Sequence, residues 1–201
     1  FIVDATGSMG DEIDFLKDDL EDIIGKAASP AVAIRTGAVF YRDEEDDYVT
    51  RTSAFTDDLS KTRKFIKAQE AEGGGDYPEA VHTALEASLQ ELAWNANAKS
   101  RIAFLILDAP AHDKVKVKES LHKSIQAYSD NGIILIPVAA SGADLSTEMM
   151  LRFFAVATNG TYTFLTNDSG VGNEHLEPSI GEYEVENLNE LMTRLIQYYM
   201  E

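Results

Sequence analysis

The run Ile102-Ala103-Phe104-Leu105-Ile106-Leu107, six apolar residues closed by Asp108, constrains this chain more than any other feature. A strand without polar alternation is buried on both faces, which requires a largely parallel sheet covered by helices. Ile133 to Val138 repeats the pattern. Around these runs lie segments with apolar residues at helix spacing. Ile13, Leu16, Leu20, Ile23 and Ile24 form one; Val81, Leu85, Leu89 and Leu92 form another. Further helices are expected at Val115 to Tyr128, Ser146 to Ala157 and Val185 to Tyr199.

Phe1 to Val3 reads as a short first strand, Ala31 to Tyr41 as a second, Tyr48 to Phe55 as a third and Thr161 to Leu165 as the last. The second and third are joined by the acidic turn Asp43-Glu44-Glu45-Asp46-Asp47 and are expected to form a hairpin. Asp57 and Asp58 suit the cap of a short helix ending near Ile66, and Pro78 suits the first turn of the helix that follows. Strands that alternate with helices need crossover connections. The expected fold is therefore α/β: a three-layer, Rossmann-like, doubly wound, mostly parallel sheet with one antiparallel edge strand and helices on both faces. Residues 1–201 read as a single domain, cut from a longer protein because Phe1 already stands inside a strand. Asn167 to Glu184 is the longest loop and a candidate partner contact.

Asp and Glu total 35 against 17 Lys and Arg, a net charge of −18. Nucleic-acid backbones and anionic membranes would be repelled at long range, while cations and basic partners are favoured. No stretch has the ~20 apolar residues of a membrane span. Without cysteine there is neither a disulfide nor a thiolate metal site.

Three short motifs fall at strand ends or on nearby loops. Asp4-Ala5-Thr6-Gly7-Ser8 sets a carboxylate and two hydroxyls at alternate positions. Gly73-Gly74-Gly75-Asp76-Tyr77-Pro78-Glu79 delivers Asp76 on a flexible loop ahead of a helix, and Asp108 closes the central strand with His112 and Asp113 behind it. In an open parallel sheet, strand-end residues converge where the strand order reverses. Oxygen donors alone suit a hard cation, with Mg²⁺ first and Mn²⁺ or Ca²⁺ as alternatives; zinc fits poorly.

DATGSMG after an apolar strand resembles the DxSxS-type metal-ion-dependent adhesion site of von Willebrand factor type A domains, with Thr6 in place of the first serine. Asp-x-Thr-Gly-Ser-Met followed by Gly-Gly-x-Asp-x-Pro-Glu looks most similar to the branch found in hemicentin-like and bacterial surface proteins. The resemblance implies that Asp4, Thr6, Ser8, Asp76 and Asp108 ligate a divalent cation. Asp76 stands where most of the family has threonine. It implies a non-enzymatic, monomeric module that captures an exposed Asp or Glu of a partner protein, without direct membrane contact, in an extracellular or cell-surface setting.

Other readings compete. Asp4 or Ser8 could cap the helix that follows. Asp43 could join the rim, but its acidic run reads as a solvated turn. His112 suits a supporting role beside Asp108, and Asp113 suits a helix start. Thr6-Gly7-Ser8-Met9-Gly10 is one residue from the Gly-x-Ser-x-Gly turn of serine hydrolases, yet the late His175 has no orienting partner in view. A Mg²⁺-dependent phosphohydrolase using Asp4 as nucleophile is the alternative function, weakened by Thr6 where a second carboxylate is usual and by the net charge. No Walker phosphate loop is present.

Overall fold

A computed structural model describes residues 1–28, 33–75, 77–166 and 185–201. Six strands, β1 (Ile2–Asp4), β2 (Thr36–Tyr41), β3 (Thr50–Thr56), β4 (Ile102–Leu107), β5 (Ile134–Ala139) and β6 (Thr163–Phe164), form one sheet in the order β3-β2-β1-β4-β5-β6. All neighbours are parallel except β2 and β3, which pair antiparallel through the acidic turn and leave β3 at the edge. The helices among the described residues are α1 (Gly10–Ala27), α2 (Leu59–Lys67), α3 (Val81–Gln90), α4 (Val115–Asp130), α5 (Leu145–Ala157) and α6 (Leu188–Met200). The expected doubly wound architecture is what forms.

Alternation along each buried strand divides the core in two. Val3, Phe40, Ile106 and Val138 point to one side, where Ile13, Leu16 and Leu20 of α1, Ile66 of α2 and Met192 and Leu195 of α6 close over them. Ile2, Val39, Tyr41, Leu105 and Leu107 point to the other, against Val81 and Leu85 of α3, Ile125 and Tyr128 of α4 and Leu151 and Phe154 of α5. Burial on both faces accounts for the unbroken apolar runs of β4 and β5.

Strand order reverses between the parallel neighbours β1 and β4: β1 leads outward to β2 on one side, and β4 lies on its other side. Ile2 aligns with Leu105 and Val3 with Ile106, so Asp4 and Asp108 finish adjacent strands at the same edge. That edge is where an open α/β sheet gathers a ligand.

Some boundaries move. The second strand begins at Thr36 rather than Ala31. The third helix begins at Val81, not at Pro78, because Glu79 is drawn into a parallel bridge with Ala111 and its N–H donates to Pro110 O at 2.9 Å. The last helix begins at Leu188 rather than Val185. Asp58 does cap its helix, accepting from Ser60 N at 3.1 Å. The loop Asn167 to Glu184, with His175, lies outside the described residues, as does Asp76. Among the described residues no helix is long and apolar enough to cross a membrane.

Candidate metal centre

Asp4 closes β1 and is fully buried. Its Oδ1 accepts from Thr6 N at 2.9 Å and from Thr6 Oγ1 at 2.7 Å. The carboxylate thus curls over its own loop instead of capping α1, whose N-cap, Met9, makes no side-chain cap. The following residues Gly7–Met9 form a single 3₁₀ turn, closed by Met9 N on Thr6 O at 3.1 Å. Ala5 N donates to Tyr41 O at 2.7 Å, which pins this loop to the end of β2.

The glycine loop lies directly against it. Glu72 N donates to Ala5 O at 3.0 Å and Gly7 N to Gly73 O at 3.2 Å. Gly73 and Gly74 adopt φ of 80° and 75°, a region that costs side-chain-bearing residues strain. A Cβ on Gly73 would collide with the Asp46 carboxylate, which accepts Gly74 N at 3.0 Å. The glycines therefore let two backbones meet beside Thr6 while Asp46 holds them down.

Asp108 follows β4, is buried, and has the Ser8 hydroxyl near enough to favour its charge. Ser8 itself is exposed, so it forms the solvent side of the cluster. Burial pushes the Asp4 carboxyl up to about 7; the Thr6 N–H counteracts this and the Asp108 charge adds to it. Burial also raises Asp108, with the Ser8 hydroxyl opposing. Asp4 Oδ2 makes no full hydrogen bond, although the buried Tyr41 hydroxyl is near enough to favour its charge.

Glu79, which the sequence reading did not include among the ligands, belongs to the same cluster. It is 4% exposed, its Oε2 has no partner, and burial followed by the charges of Asp4, Asp43, Asp46 and Asp108 raises it to about 9. Its sequence signal was its place at the end of the Gly-Gly-x-Asp-x-Pro-Glu motif. Glu12 is a second buried acid at this edge, accepting Ser141 Oγ at 2.6 Å and Ser141 N at 3.2 Å. It lies four and eight residues before Leu16 and Leu20, and an acid on an apolar helical stripe is a readable sign of a tertiary partner.

Several carboxyls buried together cannot all ionise cheaply, and a divalent cation is the simplest compensation. Asp4, Thr6, Ser8 and Asp108 could hold one, with Glu79 in reach of the same field. The donors are all oxygen, which fits Mg²⁺, Mn²⁺ or Ca²⁺. Among the described residues no three His, Cys, Asp or Glu side chains stand close enough to cage a metal unaided. A cation here would therefore rely on the two hydroxyls and on positions left to water or a partner.

Asp43 requires a correction. It is 5% exposed, not a solvated turn residue, and its Oδ1 meets His112 Nε2 at 2.6 Å. The pair joins the β2–β3 turn to the loop after β4, so His112 supports the site's walls. Elsewhere in the run the solvated reading holds: Glu44, Glu45 and Asp47 are exposed. Asp113 is exposed and ion-paired with Lys118, just before the helix cap at Lys114. Trp94, beyond the end of α3, packs edge-on against Phe55 at 4.8 Å.

Sheet order, the switch point and its oxygen-rich edge define a doubly wound α/β domain with a strand-end acidic centre. The chain belongs to the von Willebrand factor A domain family, which it matches over residues 1–164. Domains of this family commonly mediate protein–protein interactions. The chain is also 32% identical over 124 residues to an ariadne-like RING finger protein of Acanthamoeba polyphaga mimivirus. That match covers 62% of this chain and spans 12% of the length of the viral protein.

Proposed function

We propose that this domain is a metal-dependent adhesion or assembly module. Asp4, Thr6, Ser8 and Asp108, with Glu79 beside them and Asp76 as the further ligand that the motif resemblance implies, hold a divalent cation, Mg²⁺ by donor chemistry, that completes its coordination with an exposed Asp or Glu of a partner protein. The observation that carries this reading is the buried, unpaired Oδ2 of Asp4 next to Asp108, at the switch point of the sheet and under an exposed serine hydroxyl. Neutral hydroxyl donors from Thr6 and Ser8 neutralise the cation less than further carboxylates would, so an incoming carboxylate gains more Coulomb energy than it would at an all-carboxylate site. The motif spacing adds the resemblance to the hemicentin-like branch, whose members suggest an extracellular or cell-surface setting and a monomeric domain.

No catalytic turnover is proposed. Asp4 is fully buried beneath Thr6, where a phosphate ester would have difficulty reaching it as a nucleophile.

Paramagnetic broadening by substoichiometric Mn²⁺ tests the site. Amide signals of residues 5–9, 79, 108, 109, 111 and 112 should broaden first, and the effect should vanish in Asp4→Ala. Broadening concentrated on the acidic face of α1 would instead show only diffuse cation attraction and overturn the reading.

A further inference from the structure

Beside the metal-type centre lies a surface of different character. On α5, Leu145, Met149, Phe153 and Val156 are 68%, 74%, 54% and 82% exposed. Spacings of four, four and three place them on one helical face, opposite the buried Leu151 and Phe154. Four large apolar side chains in line on a solvent face are an interaction signature rather than scattered exposure.

The stripe begins at the rim of the centre. Tyr77 Oη donates to Asp108 O at 3.3 Å and accepts from Asp144 N at 3.1 Å, and Asp144 is the N-cap directly before Leu145. Tyr77 is itself 45% exposed. From there the stripe runs away from the sheet edge for roughly 17 Å, the length of three helical turns.

Charge identifies the kind of partner. The chain carries a net −18, and α1 alone has seven acidic and two basic residues. α5 has one of each, Glu148 and Arg152, and they pair with one another at 2.6 Å. A partner that brings a carboxylate to the centre is repelled by most of this surface but meets a neutral, apolar lane along α5.

We infer that α5 is the second half of the partner site: the exposed stripe receives the apolar face of an amphipathic helix whose Asp or Glu, at one end, reaches the Asp4/Asp108 centre. This rests on the metal-dependent reading for the acidic end only. The apolar half stands on the geometry of α5 itself, in the manner of helix-on-groove recognition.

Fluorescence anisotropy with two synthetic helical peptides tests it. Each carries leucines three and four residues apart over about four turns, with one glutamate at the amino or the carboxyl end, and glutamine versions serve as controls. The full domain in Mg²⁺ should bind one glutamate peptide. Met149→Glu/Phe153→Glu should weaken that binding about tenfold or more, and these exposed positions should leave the melting temperature unchanged. EDTA or Asp4→Ala should reduce the glutamate peptide to the level of the glutamine peptide, whose residual binding still depends on α5. No binding by the wild-type domain, or binding indifferent to the double substitution, overturns the inference. Binding that needs α5 but ignores EDTA and Asp4→Ala leaves the apolar surface standing and sinks the metal reading instead. A concentration-dependent dimer abolished by the double substitution would make a second copy the occupant. Peptide binding seen only after residues 167–184 are replaced by a short linker would make that segment the occupant. Either result also overturns the inference.

Discussion

Replacing Asp4 with Asn should make the metal-free domain more stable at alkaline pH. Asn keeps the oxygen that accepts from Thr6 N and Thr6 Oγ1 but removes the buried charge. The carboxyl is raised from 3.8 to about 7, chiefly by burial. Its folded form therefore holds a proton that the unfolded chain releases, and stability present at low pH is lost as pH climbs from the unfolded value through 7. A shift of about three units corresponds to about 4 kcal/mol at pH 8.5, and about 2 kcal/mol of it is already lost at pH 5. The variant's advantage in EDTA should accordingly grow from about 2 to about 4 kcal/mol, on the order of 10 °C in melting temperature for a domain of this size. Urea denaturation at the two pH values reads it directly. Saturating Mg²⁺ should then favour the wild type, because only it gains binding energy. An Asn variant less stable than wild type in EDTA at pH 8.5, or a gap that does not change with pH, would refute the reasoning.

Glu79→Gln should gain metal-free stability over the wild type progressively as pH climbs from about 4.5 towards 9, because the unfolded chain releases a proton that a carboxyl raised to about 9 retains when folded; in chemical denaturation the advantage should already be clear at pH 7 and stop growing above 9, and a gap that first opens above 9 would refute the shift. His112→Ala should cost about 3 kcal/mol, since it leaves the buried Asp43 without its partner, and a loss under about 1 kcal/mol in urea titration would show that the pair is dispensable. Gly73→Ala should destabilise by about 1–3 kcal/mol through its positive φ and collision with Asp46, and should weaken Mg²⁺ affinity with it, as measured by calorimetry on the folded variant.

Those predictions draw unequally on the sequence. β4 and β5 were readable because burial on both faces removes polar alternation, and that in turn located Asp108 at a strand end. The pairing of Asp4 with Asp108 followed from a general rule about switch points, not from any local signal. Asp43 was misread because an acidic pentapeptide looks solvated wherever it stands; its partner, His112, lies 69 residues away, and only the folded sheet brings them together. Pro78 misplaced a helix start for a related reason: the bridge from Glu79 to Ala111 is tertiary and overrides a local preference. The same tertiary closure buries Glu79, whose burial no periodicity in its own segment could have shown.

Calorimetric titration of the metal-free domain with Mg²⁺, Mn²⁺ and Ca²⁺ at pH 8, with Asp4→Ala and Asp108→Ala alongside, bears most directly on the centre. One saturable site in the wild type, lost in both variants while their folds persist, is the expected result. Equal binding by wild type and variants, or no binding of any of the three cations, would contradict a metal centre at the end of β1 and β4.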